Sequence, residues 1–150
     1  MEVSPRFAQL EDAPQIFELS QRVAPVSQVE WSLAAIGEEI ANTASKVWIL
    51  EDKKELSPVL GFIFARQLAD NEWEIRNFAI DPDYWGTGLG HRLIEEFKGS
   101  ITRPVEVFLE VAVSNLRAIR FYEEVGAKKL YLRKNLYKDD DGWVYVLKWS

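Results

Sequence analysis

The chain has no cysteine among its 150 residues and a single histidine, His91. The first absence excludes disulfides, thiolate metal sites and a cysteine nucleophile, and the second argues against a histidine-rich metal centre. No apolar run approaches the roughly 20 residues needed to span a bilayer. The segment Met1-Glu2-Val3-Ser4-Pro5 lacks the charged-then-apolar order of a secretion signal,. A cytoplasmic protein with no membrane partner is therefore the expectation. Cations are also in short supply: 18 Lys and Arg face 24 Asp and Glu, a net charge of −6. Phosphate backbones are gripped by clustered Lys and Arg, so nucleic acid is not an expected partner. An acidic molecule instead attracts a cationic substrate at long range, although the same balance also serves solubility.

What is present suits one α/β domain over residues 1–150. The chain is 47% hydrophobic and 28% charged, an ordinary globular mixture at a length that can bury a sizeable core,. Patterning predicts strands at Val3–Ala8, Lys46–Leu50, Val59–Leu68 and Glu72–Ile80, with a polar turn at Glu51–Ser57. Helices are predicted over Leu10–Val23, Ser32–Ala41, Gly88–Lys98 and Leu116–Val125. Val105–Val113 alternates, with Val105, Val107, Leu109 and Val111 on one face and Glu106, Phe108 and Glu110 on the other. Lys128–Leu136 and Trp143–Trp149 read as a closing hairpin around Lys138–Gly142. No repeat or linker interrupts this order, so the sheet is expected to be mixed.

The densest signal is Gly86-Thr87-Gly88-Leu89-Gly90-His91, which holds three of the 8 glycines between an apolar run and a helical pattern. Glycines let backbone N–H groups approach a ligand unobstructed, and at a helix start those groups suit an anion such as phosphate. A plain flexible turn is the alternative. The segment is not a nucleotide P-loop, which requires Gly-Lys-Ser/Thr where Gly90-His91-Arg92 stands. Nor is it a dinucleotide fingerprint, whose third glycine falls on His91.

The run Asn77-Phe78-Ala79-Ile80-Asp81-Pro82-Asp83-Tyr84-Trp85-Gly86-Thr87-Gly88-Leu89-Gly90 resembles the acetyl-CoA motif of the GCN5-related N-acetyltransferase superfamily. A second block, Phe108 to Ala127, is similar to that superfamily's Leu-Glu-Val-x-x-x-Asn-x-x-Ala-x-x-x-Tyr-x-x-x-Gly-Phe pattern. Within the superfamily the two blocks are most similar to bacterial enzymes that acetylate the N-terminal alanine of ribosomal protein S18. Similarity runs from about Asn77 to the C-terminus, while the first 70 residues or so match only in element order. The resemblance implies a single-domain fold whose mixed, mostly antiparallel sheet is flanked by helices and splayed between the strands at about 72–80 and 105–113. It implies acetyl-CoA as cosubstrate, no metal, and an acceptor that is a protein N-terminus or a small amine, in a monomer or homodimer.

By the same resemblance, Glu110 is the base that takes a proton from the amine and Tyr122 the acid that protonates the departing thiolate. Cofactor contacts fall on Phe78, Ala79, Ile80, Gly86, Thr87, Gly88, Leu89, Gly90, His91 and Asn115, with the Ile80 N–H polarising the thioester carbonyl. Each has a plainer reading from the residues alone. Glu110 can sit on a solvated strand face, Tyr122 can be a core aromatic, Asn115 can be a helix cap, and Phe78–Ile80 can be strand core.

The chain also departs from the pattern. Trp85 stands where Gln or Arg is usual and Thr87 where Arg is frequent, which removes side-chain charge near a pyrophosphate; His91 and Arg92 are the candidates to restore it. Arg133-Lys134-Asn135-Leu136-Tyr137 resembles the tail of the S18-type enzymes, but Leu136 replaces a Tyr. Trp143-Val144 follows Gly142 in place of an acidic pair, and a Phe-Pro-Trp-type segment near the first helix is missing. These changes fall on the acceptor side. A small-molecule acetyltransferase and a non-catalytic acyl-CoA-binding module are therefore the alternatives to an N-terminal acetyltransferase.

Overall fold

The structure, a computed structural model, describes residues 2–54 and 59–150. Among the described residues, seven strands form one sheet in the order β1 (Val3–Phe7), β2 (Ser45–Asp52), β3 (Val59–Ala69), β4 (Glu72–Ile80), β5 (Val105–Ala112), β7 (Asp140–Trp149) and β6 (Lys128–Tyr137). All neighbours run antiparallel except β4 and β5. Helices α1 (Ala13–Ser27) and α2 (Leu33–Ala41) connect β1 to β2, α3 (Leu89–Gly99) connects β4 to β5, and α4 (Leu116–Glu124) connects β5 to β6.

Strand alternation divides the core into two layers. Val47, Ile49, Phe62 and Phe64 meet Ile16, Leu19 and Ile36 of α1 and α2. Trp48, Leu50, Ile63 and Ala65 point the other way, onto Leu93, Ile94 and Phe97 of α3. The valine and leucine face of β5 joins that second layer. Tyr122 of α4 is buried there too, with Ala118, Ile119, Phe121 and Val125 packed against it.

The functional consequence lies between β4 and β5. Their parallel pairing runs from Glu72 opposite Glu106 to Ile75 opposite Leu109 and then stops. Beyond that point β5 stays with β7, Glu110 facing Val144 and Val111 facing Trp143, while β4 stays with β3. The sheet is splayed there. Asp81 N–H donates to the Leu60 carbonyl at 2.8 Å, so strand alternation turns the backbone groups of Phe78 and Ile80 away from β3 and into the gap,.

The structure shifts some expected boundaries. The first helix continues to Ser27 with Pro25 inside it and closes on Gln28 in the left-handed region (φ 61°). Leu10–Asp12 is a 3-10 turn in place of a helix start. Strand β7 begins at Asp140, so the hairpin turn is shorter than the stretch Lys138–Gly142. Of the turn at Glu51–Ser57, Glu51 and Asp52 belong to β2, whereas residues 55–57 lie outside the described residues.

Candidate active site

The glycine-rich loop owes its shape to two residues. Gly86 and Gly88 have φ of +79° and +86°, a region that disfavours any side chain,. A Cβ at either would meet nothing within 4 Å, so packing does not demand glycine there; the backbone conformation does. Gly90 differs: its Cβ would stand 3.1 Å from the Phe121 ring, so this glycine lets α3 approach α4. Upstream, buried Asp81 anchors the end of β4. It accepts two hydrogen bonds of 3.0 Å from the Arg22 guanidinium of α1 and caps the turn Pro82–Tyr84 through Asp83 N–H.

Loop, β4 and α4 enclose a cleft of about 540 Å³. Among the expected cofactor contacts, Phe78, Ala79, Ile80, Gly86, Gly88, Leu89, Gly90, His91 and Asn115 line it. Thr87 does not; its hydroxyl donates back to the Tyr84 carbonyl at 2.5 Å. The Phe78 ring stacks on Phe121 with centroids 5.4 Å apart and touches Tyr122 at 6.0 Å, joining β4 to α4 across the gap. Asn115 caps α4 through its side chain, accepting from Ala118 N–H at 3.3 Å, while also lining the cleft.

Glu110 lies elsewhere. With Arg76, Asn77, Val111 and Tyr137 it lines a much smaller chamber of about 40 Å³. Ser27, Phe78, Asn115, Ala118 and Tyr122 line both spaces. The Glu110 carboxylate is ion-paired with Arg133 of β6. Arg76 is held by Glu39 at 2.7 Å and Glu74 at 3.1 Å, so its charge is already engaged. Buried Asn77 carries an amide nitrogen with no partner among the described residues.

Two phenols line the chamber with the carboxylate, and one of them, Tyr122, also lines the larger cleft. Burial pushes Tyr137 up to about 12, with the Glu110 and Asp140 charges adding to the rise and Arg133 opposing it. Burial also holds Tyr122 well above the ordinary phenol range, Tyr137 contributing less. Tyr122 therefore keeps its proton throughout the neutral range. Glu110 and Tyr122 thus share a chamber, and Tyr122 alone of the two reaches the larger cleft. Tyr137, Arg117 and Arg120 were not singled out from the sequence as site residues. The tail resemblance around Tyr137 was a usable signal, whereas nothing local distinguished the two arginines.

The Acetyltransferase (GNAT) family matches residues 13–127, most of the chain. The chain belongs to that family. Among GNAT relatives it is similar to the [ribosomal protein bS18]-alanine N-acetyltransferase of Escherichia coli K12, 36% identical over 78 residues, 51% of this chain and 53% of that one. It is also similar to the N-alpha-acetyltransferase RimI of Mycobacterium tuberculosis, 27% identical over 137 residues, 91% and 85% of the two chains. The crystal structure of the ribosomal-protein-S18-alanine N-acetyltransferase from Escherichia coli superposes with a TM-score of 0.82 at 25% identity, covering 98% of this chain and 94% of that one. The chain spans about half the length of the Escherichia coli bS18 relative. It spans 33% of a Mycobacterium leprae protein to which it is 30% identical over 121 residues, 79% of this chain.

Proposed function

We propose that this chain moves an acetyl group from acetyl-CoA to a primary amine, the acceptor being the N-terminal α-amine of a protein of the ribosomal S18 type. The observation that carries the reading is the pair of chambers meeting at Tyr122, one glycine-rimmed and large, the other small and holding a carboxylate. The larger cleft fits a CoA thioester. Its loop conformation leaves backbone unshielded at Gly86 and Gly88, and Phe78 and Ile80 lie beyond the last β4–β5 pair among the described residues, so their N–H groups face the gap while the Ile80 carbonyl accepts from Trp85.

Bound acetyl-CoA supplies an acyl thioester with a thiolate leaving group. The chain supplies the proton transfers. Glu110 accepts the proton that the amine sheds, directly or through one water, once its carboxylate is released from Arg133. Tyr122 presents a phenol proton at the boundary of the two chambers. Its raised pKa does not disqualify it, because a thiolate brought against the same buried wall is desolvated too and rises with it. The Ile80 N–H is the donor for a carbonyl oxygen that gains charge. An α-amine, with a reference pKa of about 7.7–8.0, is about a tenth neutral at pH 7, whereas lysine near 10.4 is almost wholly charged. One carboxylate suffices for the former.

The test follows CoA release from acetyl-CoA with a basic peptide starting in alanine. Glu110→Gln and Tyr122→Phe are each expected to lower kcat by about a hundredfold or more, with acetyl-CoA binding retained. Turnover of polyamines or aminoglycosides, with none on any N-terminal peptide, would move the acceptor to small amines. Unchanged kcat in both variants would remove the acid–base assignment.

A further inference from the structure

The glycine loop puts no arginine or lysine on the cleft: Trp85 and Thr87 stand in it, Arg92 lies outside the cleft lining, and His91 is the basic side chain it contributes. The opposite wall is basic. Arg117 and Arg120 are three residues apart on α4, hence neighbours on its surface, and both line the cleft,. The Arg117 guanidinium lies over the Trp85 ring, 4.4 Å from its centroid. Trp85 is itself fixed from its other edge, its indole Nε1–H donating to the Ile80 carbonyl at 2.9 Å. A guanidinium seated on an aromatic face keeps its N–H edge free and aimed, so little rotamer freedom is lost when it meets an anion. Among the described residues neither arginine is ion-paired; the nearby Glu124 contacts His91 at 4.0 Å. In a molecule of net charge −6, two uncommitted cations facing one cleft call for an anionic ligand,.

We propose that Arg117, seated on Trp85, and Arg120 form a clamp on α4 for the phosphate groups of acetyl-CoA, replacing the arginine or lysine charge that the loop lacks. The clamp rests on the reading of this cleft as the acetyl-CoA site. Trp85 acts as a positioning residue, linking the end of β4 to the arginine. The pyrophosphate and the nucleotide 3′-phosphate share the required chemistry.

Calorimetric titration of the whole chain with acetyl-CoA, acetyl-dephospho-CoA and S-acetylpantetheine tests this without turnover. Arg117→Gln and Arg120→Gln are expected to weaken acetyl-CoA about tenfold each and to leave S-acetylpantetheine unchanged. Persistence of the loss with acetyl-dephospho-CoA assigns the clamp to the pyrophosphate; its disappearance assigns it to the 3′-phosphate. Trp85→Leu should weaken acetyl-CoA without adding to the loss in Arg117→Gln, since both remove one unit. An equal loss on S-acetylpantetheine would make the Trp85 role structural and overturn the positioning. Wild-type affinity in both arginine variants overturns the clamp while the cleft assignment stands. Absence of acetyl-CoA binding by the wild type overturns both.

Discussion

Tyr122 closes the floor common to both chambers, and its burial has a consequence that stability measurements can read. The unfolded phenol titrates near 10, and the folded one well above it, chiefly through desolvation. The folded state therefore binds this proton more tightly. Stability is fully present below the unfolded value and is lost as pH rises through the folded one. Tyr137, pushed up to about 12, acts in the same sense. Urea midpoints are expected to be level between pH 8 and about 9.5 and to fall steadily above pH 10, with a shallower fall in Tyr122→Phe. An equally steep fall in that variant would mean that burial does not raise this phenol. Glu110 shows where sequence stops being informative at this scale. Strand alternation placed it beside Glu106 on the polar face of β5, and it is indeed the more exposed face. Its partner Arg133 lies 23 residues on in another strand, a pairing set by hairpin register that no local pattern encodes.

At the level of elements, three of the four glycines in and after the loop look alike in sequence and differ in cause. Gly88 is held at φ +86°, Gly90 abuts Phe121, and Gly99, the last residue of α3, has open space around it. Gly88→Ala should cost about 1–2 kcal/mol through left-handed strain and weaken acetyl-CoA. Gly99→Ala should be neutral or stabilise by up to about 1 kcal/mol. Thermal midpoints separate the two, and a Gly88→Ala protein as stable as the parent would contradict the loop geometry. The periodic elements were legible because burial enforces their spacing: Glu72–Ile80 falls on its expected limits, and Leu89, Leu93, Ile94 and Phe97 form the buried stripe of α3. Ends were less so. Pro25 marks no helix end, since α1 runs on to Ser27 and closes at Gln28, which bonds across to Ser114 and Asp140. Those partners lie 86 and 112 residues further along the chain.

For the whole molecule, the layered sheet makes one gap do two jobs. Pairing ends at Ile75 and Leu109, and the strands diverge into separate chambers that share five lining residues. The acidic surplus acts over the same scale. At saturating acetyl-CoA, kcat/KM for a basic acceptor peptide should decline as salt is raised, because screening shortens the reach of the protein's field. A neutral peptide of the same first residues should show little change. Equal salt dependence for both would remove charge from acceptor selection. The glycine-rimmed edge of the larger cleft was readable from two sequence blocks, since backbone conformation carries it. The chamber holding Glu110 was not, because α1, β4, β5 and β6 bring its lining together from distant parts of the chain.

The most direct measurement is a crystal structure with a CoA–peptide conjugate that joins the sulfur to an alanine N-terminus. The pantetheine arm is expected along Phe78–Ile80 in the larger cleft, the peptide in the chamber with Glu110, and the linkage beside Tyr122. A conjugate seated away from the gap between β4 and β5, or with its linkage remote from Tyr122, would contradict that placement.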